Sequence, residues 1–292
     1  MTDTGVKYLL APGSNSVKCL AALDLSRTKF RGEAFSSLPP TCALRCLKAK
    51  HCGRLSKLVL QLPASVPLEE LLVQSCPALE WVVVSTGARM HRITIDSCPR
   101  LAKIELRCPA LRYLCLGNCP ELAALSPEDP VALAASGAVD PPPTLQFLGL
   151  EELSCFACRS LEGPALDCLL RFAPLLRTAN LSGCGSIEAL QMPLALELRT
   201  LDISGCRALR IAHIGSPVLR DLRAMGCTAL RDLSLSSREL RSISVTNCSS
   251  LRHVDCSAFL SLDRHLRRPV RTECGGASSH AVMHLAKLAE GG

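Results

Sequence analysis

The sequence predicts an α/β, right-handed solenoid of about ten short turns, mostly β, with few short helices on the return side. Three observations predict it. First, apolar trios recur at a period of 21 residues: Leu198, Leu201, Ile203, then Leu219, Leu222, Ala224, then Leu240, Ile243, Val245. Second, a cysteine follows each trio by three residues, at Cys206, Cys227 and Cys248. Third, another set of trios lies between these, Leu209, Ala212, Ile214 and Leu230, Leu233, Leu235. Alternation inside each trio has period two, so each is a short strand with one buried face. Two such legs ten or eleven residues apart leave no room for a helix between them. The turn is therefore narrow and two-sided.

Composition agrees with stacked turns. The chain has 292 residues, yet only 3% are aromatic, too few for an ordinary globular core of that size. Ladders of Leu, Ile and Val supply the core instead, since each solenoid turn contacts only its neighbours. The 18 cysteines would mean a disulfide framework in a small secreted protein. Here most fall at one position of the repeat, inward-facing, where a thiol serves as a small hydrophobe with a weak S–H donor. They are read as reduced, which places the protein in the cytoplasm or nucleus. The start, MTDTGVKYLLAPGS, lacks a basic region followed by a long apolar core, so no signal peptide is expected. No apolar run reaches the length of about 18 residues that a membrane span needs.

In order, residues 1–18 form a lead-in or cap, 19–259 the solenoid, and 260–292 an end cap with a loosely held tail. Turn one opens at Leu20, Leu23 and Leu25, with Thr28 at the cysteine position, and its return KFRGEAFSSLPPTC is long enough for a helical turn. Turns two to five open at Leu44, Leu68, Met90 and Leu111, and carry Cys52, Cys76, Cys98 and Cys119. An irregular insertion at 126–144, rich in Ala and Pro, interrupts the fifth return. Turn six opens at Leu150 and reaches Cys158; its return holds EGPALDCLLRFAP, with Pro164 near a helix start and Leu166, Leu169 and Leu170 on one helical face. Turns at Leu176, Leu198, Leu219 and Leu240 follow, with Cys184, Cys206, Cys227 and Cys248.

A period of 20 to 29 residues with LxxLxL and a following cysteine is a leucine-rich-repeat signature, which implies a horseshoe-like solenoid. The 26-residue turn LEELSCFACRSLEGPALDCLLRFAPL, 150–175, resembles the cysteine-containing repeat of F-box/LRR proteins. LRYLCLGNCPEL, LRTANLSGCGSI and LRTLDISGCRAL resemble plant and algal members of that family. Family members recruit substrates to a cullin-type ubiquitin ligase, the F-box binding an adaptor and the repeats binding the target. The resemblance thus implies a substrate-recognition role, with a ubiquitin-ligase adaptor as partner only if an F-box lies outside this chain. No F-box-like segment precedes Leu20. The alternative is a structural or signalling scaffold, or a fragment of a larger repeat protein, with no ligase link.

Chemistry has little foothold. CFAC at 155–158 and the run Cys42, Cys46, Cys52 approach metal-ligand spacing, but no second CxxC matches them. His280 and His284 would share a helix face without a third ligand. GCGSIE at 183–188 lacks the Lys and the further Gly of a phosphate loop. No nucleophile-elbow, kinase or paired-carboxylate arrangement emerges, so catalytic, metal and cofactor roles are not expected. The outward strand positions say more. Arg177, Arg199, Arg220 and Arg241 form a column in turns seven to ten, with Arg223 beside it and Arg112 at the same place in turn five. One reading is ladder-edge cover by long methylene stems. The other is a cationic ridge for an acidic protein partner. The net charge of +7 is diffuse and few aromatics interleave, so nucleic acid is the weaker partner class.

Overall fold

Alternating apolar residues put one face of every leg into a shared interior, and the backbone of each leg pairs with the legs of the adjacent turns. The computed structural model describes residues 1–11, 15–35, 39–86, 89–126, 148–171, 173–192, 195–260, 270–279, 282–283 and 285–286. The predicted insertion at 126–144 falls outside them apart from Ser126, as do His280 and His284. The chain forms two units, Met1–Leu150 and Glu151–Gly292.

In the first unit, α1 (Asp3–Leu9) and α2 (Asn15–Cys19) precede β1 (Ala22–Asp24). A 3-10 turn at Glu33–Phe35 follows, and then β2 (Cys46–Lys50), β3 (Lys57–Gln61), β4 (Glu70–Gln74) and β5 (Trp81–Ser85). The unit continues through β6 (Arg92–Asp96), β7 (Lys103–Arg107), β8 (Tyr113–Gly117) and β9 (Ala124–Ser126). The opening legs form a parallel sheet in the order β1-β2-β4-β6-β8. The return legs form a second parallel sheet, β3-β5-β7-β9. Leu47, Leu71, Ile93 and Leu114 stack in register on the inner side of the first sheet, and Leu58, Val82, Ile104 and Leu125 on that of the second. Each such fully buried side chain contributes roughly 1.5–3 kcal/mol. The lead-in is tied to turn one by Asp3, whose carboxylate accepts from the backbone N–H of Arg31 at 2.7 Å and of Gly32 at 3.0 Å.

The second unit repeats the plan. Its elements are β10 (Glu152–Ser154), α3 (Gly163–Arg171), β11 (Thr178–Asn180), β12 (Ala189–Met192), β13 (Thr200–Asp202) and β14 (Ile211–Ile214). After them come β15 (Asp221–Arg223), β16 (Asp232–Leu235), β17 (Ser242–Ser244), β18 (His253–Asp255), α4 (Ser257–Leu260) and β19 (Arg271–Glu273). The opening sheet runs β10-β11-β13-β15-β17-β19 and the return sheet β12-β14-β16-β18, all parallel. Leu201, Leu222 and Ile243 stack in adjacent strands, as the 21-residue period requires. In α3, Leu166 and Leu169 are buried and Leu170 is half-buried.

The fold is thus a mostly parallel β-solenoid with few helices. Among the described residues its opening strands close four turns in the first unit and five in the second, about nine against the expected ten. Three local outcomes differ from expectation. Among the described residues the return of turn one holds a 3-10 turn, which buries Phe35 edge-on against Phe30 at a ring distance of 6.2 Å. The fifth return begins as a strand, β9, before 127. The chain beyond 259 supplies another ladder strand, β19, with Thr272 opposite Ile243. A threonine at that position hides the strand from a search for leucine trios.

Every turn has the same corner. One residue between the opening strand and the cysteine position adopts left-handed backbone: Arg27, His51, Ser75, Ser97 and Asn118 in the first unit, with φ of 50–59°. Ala157, Gly183, Gly205, Gly226 and Asn247 do so in the second, with φ of 58–75°. The ladder cysteines Cys52, Cys76, Cys98, Cys119, Cys158, Cys184, Cys206, Cys227 and Cys248 are all buried free thiols. Many donate to a carbonyl of the preceding turn: Cys184 to Cys155 at 2.9 Å, Cys206 to Leu181 at 3.2 Å, Cys227 to Ile203 at 3.0 Å and Cys248 to Ala224 at 2.8 Å. The carbonyls of Cys155, Leu181 and Ile203 also accept a backbone N–H at 3.2–3.3 Å, so the thiol adds a second, weak donor while filling the corner as a small apolar side chain.

Candidate interaction face

In the second unit, each opening leg begins with a buried leucine (Leu176, Leu198, Leu219, Leu240) followed by arginine. The arginine lies just before the strand, exposed at Arg177, Arg199 and Arg241 and half-buried at Arg220. The four are in register through backbone bonds. The N–H of Arg177 donates to the Glu151 carbonyl, Arg199 to Arg177, Arg220 to Arg199 and Arg241 to Arg220, each at 2.8 Å. Strand spacing therefore sets neighbouring guanidinium stems about 4.8 Å apart at their bases.

Carboxylates occupy alternate members of the row. Arg177 bridges to Glu151 at 3.0 Å, and Arg220 to Glu239 at 2.9 Å. Arg199 and Arg241 are exposed and have no ion-pair partner among the described residues. Between them the structure leaves two open guanidinium groups roughly 10 Å apart, two strand spacings. Arg223 is exposed on the same face, in the row formed by Asn180, Asp202, Arg223 and Ser244. Asn180 and Asp202 are held by accepting from the backbone N–H of Ser182 at 3.0 Å and of Ser204 at 2.9 Å. Thr178, Thr200, Asp221 and Ser242 lie between the two rows. The face carries short polar side chains, of which Ser244 is buried, and is edged by cations.

The corresponding row of the first unit is mixed, running Arg45, Glu69, His91, Arg112 along the same ladder of backbone bonds. Arg45 pairs with Glu69 at 3.3 Å. Arg112 thus stands in a row of alternating character, not in the cationic column.

Two features were not read from the sequence. The return sheet of the second unit has its own arginine row, Arg210, Arg231 and Arg252, joined by backbone bonds of 2.8 and 2.9 Å and preceded by Glu188. The signal was present, because Leu209, Leu230 and Leu251 are each followed by arginine in the return trios as well. On the return sheet of the first unit, the sole tryptophan, Trp81, faces outward between Lys57 and Lys103, with its Nε1 covered and lacking an acceptor among the described residues. Its neighbours are visible only once the 24- and 22-residue periods of those turns are aligned.

Burial pushes the Cys206 thiol up to about 12 and that of Cys108 up to about 11, so both are protonated at neutral pH. Among the described residues no group of three His, Cys, Asp or Glu is arranged to hold a metal ion. No helix among them is long and apolar enough to cross a membrane. Cys155 and Cys158 are both buried, in the opening leg and the ladder of turn six. Comparison with protein-family models gives no match, and neither does comparison with curated proteins.

Proposed function

We propose that the chain is a non-catalytic protein-interaction solenoid, of right-handed leucine-rich-repeat type, whose strand face in the second unit takes an acidic segment of a partner protein. The observation that carries this reading is the pair of unbridged arginines, Arg199 and Arg241, set in register on either side of the bridged Arg220. Long stems alone would cover the ladder edge. Four like charges at strand spacing repel one another modestly, and two of the four already have carboxylates. An acidic ligand supplies the remaining two.

Each exposed pair contributes only about 0–1 kcal/mol, so recognition is collective and depends on salt. A display library of extended peptides screened against the immobilised chain is expected to yield acidic residues about three positions apart, since about 3.3 Å per residue spans the gap. Arg199→Glu combined with Arg241→Glu should abolish that enrichment and flatten the salt dependence while the urea midpoint stays put. Recovered peptides without acidic enrichment would leave the arginines as edge cover.

The narrower reading, a substrate receptor of a ubiquitin ligase in the cytoplasm or nucleus, is supported by the likeness of 150–175 to F-box/LRR repeats. Co-purification of a ligase adaptor with the product of the full locus tests it.

A further inference from the structure

The return sheet of the first unit differs from that of the second in what it turns outward. Outward positions of β14, β16 and β18 carry His213, Asp232, Ser234, His253 and Asp255, with Ile211 the exception. Those of β3, β5 and β7 form three rows of another kind. The first row is Lys57, Trp81 and Lys103, in register. Lys57 Nζ lies 3.7 Å from the centre of the indole ring and Lys103 Nζ 5.5 Å from it. The second row pairs Val59 with Val83, both half-exposed, and ends at Glu105. The third is Gln61, Ser85 and Arg107. A groove of about 450 Å³ opens beside the last two rows, lined by Gln61, Leu62, Val83, Ser85, Leu106 and Arg107.

We propose that this face is a second docking surface, for an extended protein segment that carries a carboxylate, an apolar side chain and a carboxylate at alternate positions. The rows are two residues apart along each strand, about 6.6 Å, which is also the spacing of side chains i and i+2 in an extended ligand. A segment lying along the strands meets ammonium groups, then the Val59–Val83 strip, then Arg107. Charge fits that order: the three rows carry the cations Lys57, Lys103 and Arg107 and the carboxylate of Glu105, which bridges Lys103 at 2.9 Å. Contact with the indole face holds Lys57 in place before a ligand arrives, which lowers the ordering cost of recruiting it. The apolar strip excludes water around the charged contacts, and the indole adds a large area that associating surfaces favour.

Trp81 is the only tryptophan, so its fluorescence reads this site alone. The probe is the blocked pentapeptide Asp-Ser-Val-Ser-Asp, with Lys-Ser-Val-Ser-Lys and Asp-Ser-Ser-Ser-Asp as controls. The expected result is a saturable change with the first peptide and about tenfold weaker binding of each control. Lys57→Glu with Lys103→Glu should weaken the first peptide about tenfold or more, at an unchanged urea midpoint. Val83→Ser should weaken it without altering the salt dependence. Arg199→Glu with Arg241→Glu should leave it unchanged, which separates this surface from the arginine face. No saturable change, an equal response to the lysine peptide, or an unchanged response in the Lys57/Lys103 variant would overturn the proposal. A saturable response to a single-stranded oligonucleotide but not to the peptide would also overturn it.

Discussion

A left-handed residue closes each corner, and its side chain decides how much strain that corner stores. For a residue with a Cβ, left-handed backbone costs roughly 1–2 kcal/mol, whereas glycine adopts it freely. Ala157 at φ 58° carries that strain; Gly205 at φ 70°, two turns on, does not. A Cβ built on Gly205 would meet the Gly183 backbone nitrogen at 3.6 Å, an ordinary contact, so packing is not the obstacle. Gly205→Ala should therefore destabilise by about 1 kcal/mol for conformational reasons alone. Ala157→Gly should stabilise by a few tenths to about 1 kcal/mol, its gain offset by the extra freedom of the unfolded chain. Urea midpoints at constant m-value check both. Effects of the same sign at the two sites would mean that the corners differ in something other than backbone strain.

Stacked legs and their sulfur spine are the element that repeats. Burial holds Cys108 near 11 and Cys206 near 12, against about 8.5 for a thiol in an unfolded chain. Between those values the unfolded chain has released protons that the folded chain keeps, so stability falls as pH rises. The contribution is fully present below about pH 8.5 and is lost progressively up to about pH 11–12. The urea midpoint should drop between pH 8 and pH 10.5, and drop less in Cys108→Ala/Cys206→Ala. An equal drop in that variant would assign the alkaline loss to other groups. These elements were legible because their periodicity is redundant: Leu201, Leu222 and Ile243 state the register three times. β19 was not, because Thr272 breaks the leucine pattern while backbone bonds, which no side chain announces, complete the sheet. The arginine row was legible for the same reason as the leucines beside it. Its pairing was not, because Glu239 sits in a corner outside the repeat positions and reaches Arg220 only in three dimensions. The Lys57–Trp81–Lys103 row was illegible because its periods, 24 and 22, differ from the 21 of the regular turns.

At the scale of the whole molecule, the consequence of stacking is locality. Each turn is stabilised by its own leucines and by its two neighbours, so a defect propagates only as far as those interfaces carry it. Cys206 lies in the ladder between Cys184 and Cys227, fully enclosed, with its thiol donating to the Leu181 carbonyl. Cys206→Asp would bury a carboxylate with no cation beside it and would remove one of two donors to that carbonyl, which also accepts the Cys184 N–H at 3.2 Å, a loss of about 4 kcal/mol or more. The strands on either side, β11, β13 and β15, hold Arg177, Arg199 and Arg220 in line, so the arginine row should come apart with them. Trp81 belongs to the first unit, in the return ladder β3-β5-β7-β9. Its fluorescence in Cys206→Asp should therefore remain native, and should unfold at the same urea concentration as in the unaltered chain. Hydrogen exchange should show lost protection confined to about 150–250, with β3, β5 and β7 still protected. If instead the Trp81 transition moves down together with the loss of protection in β13, the chain unfolds as one cooperative body, and turn-by-turn stability is the wrong description of this solenoid.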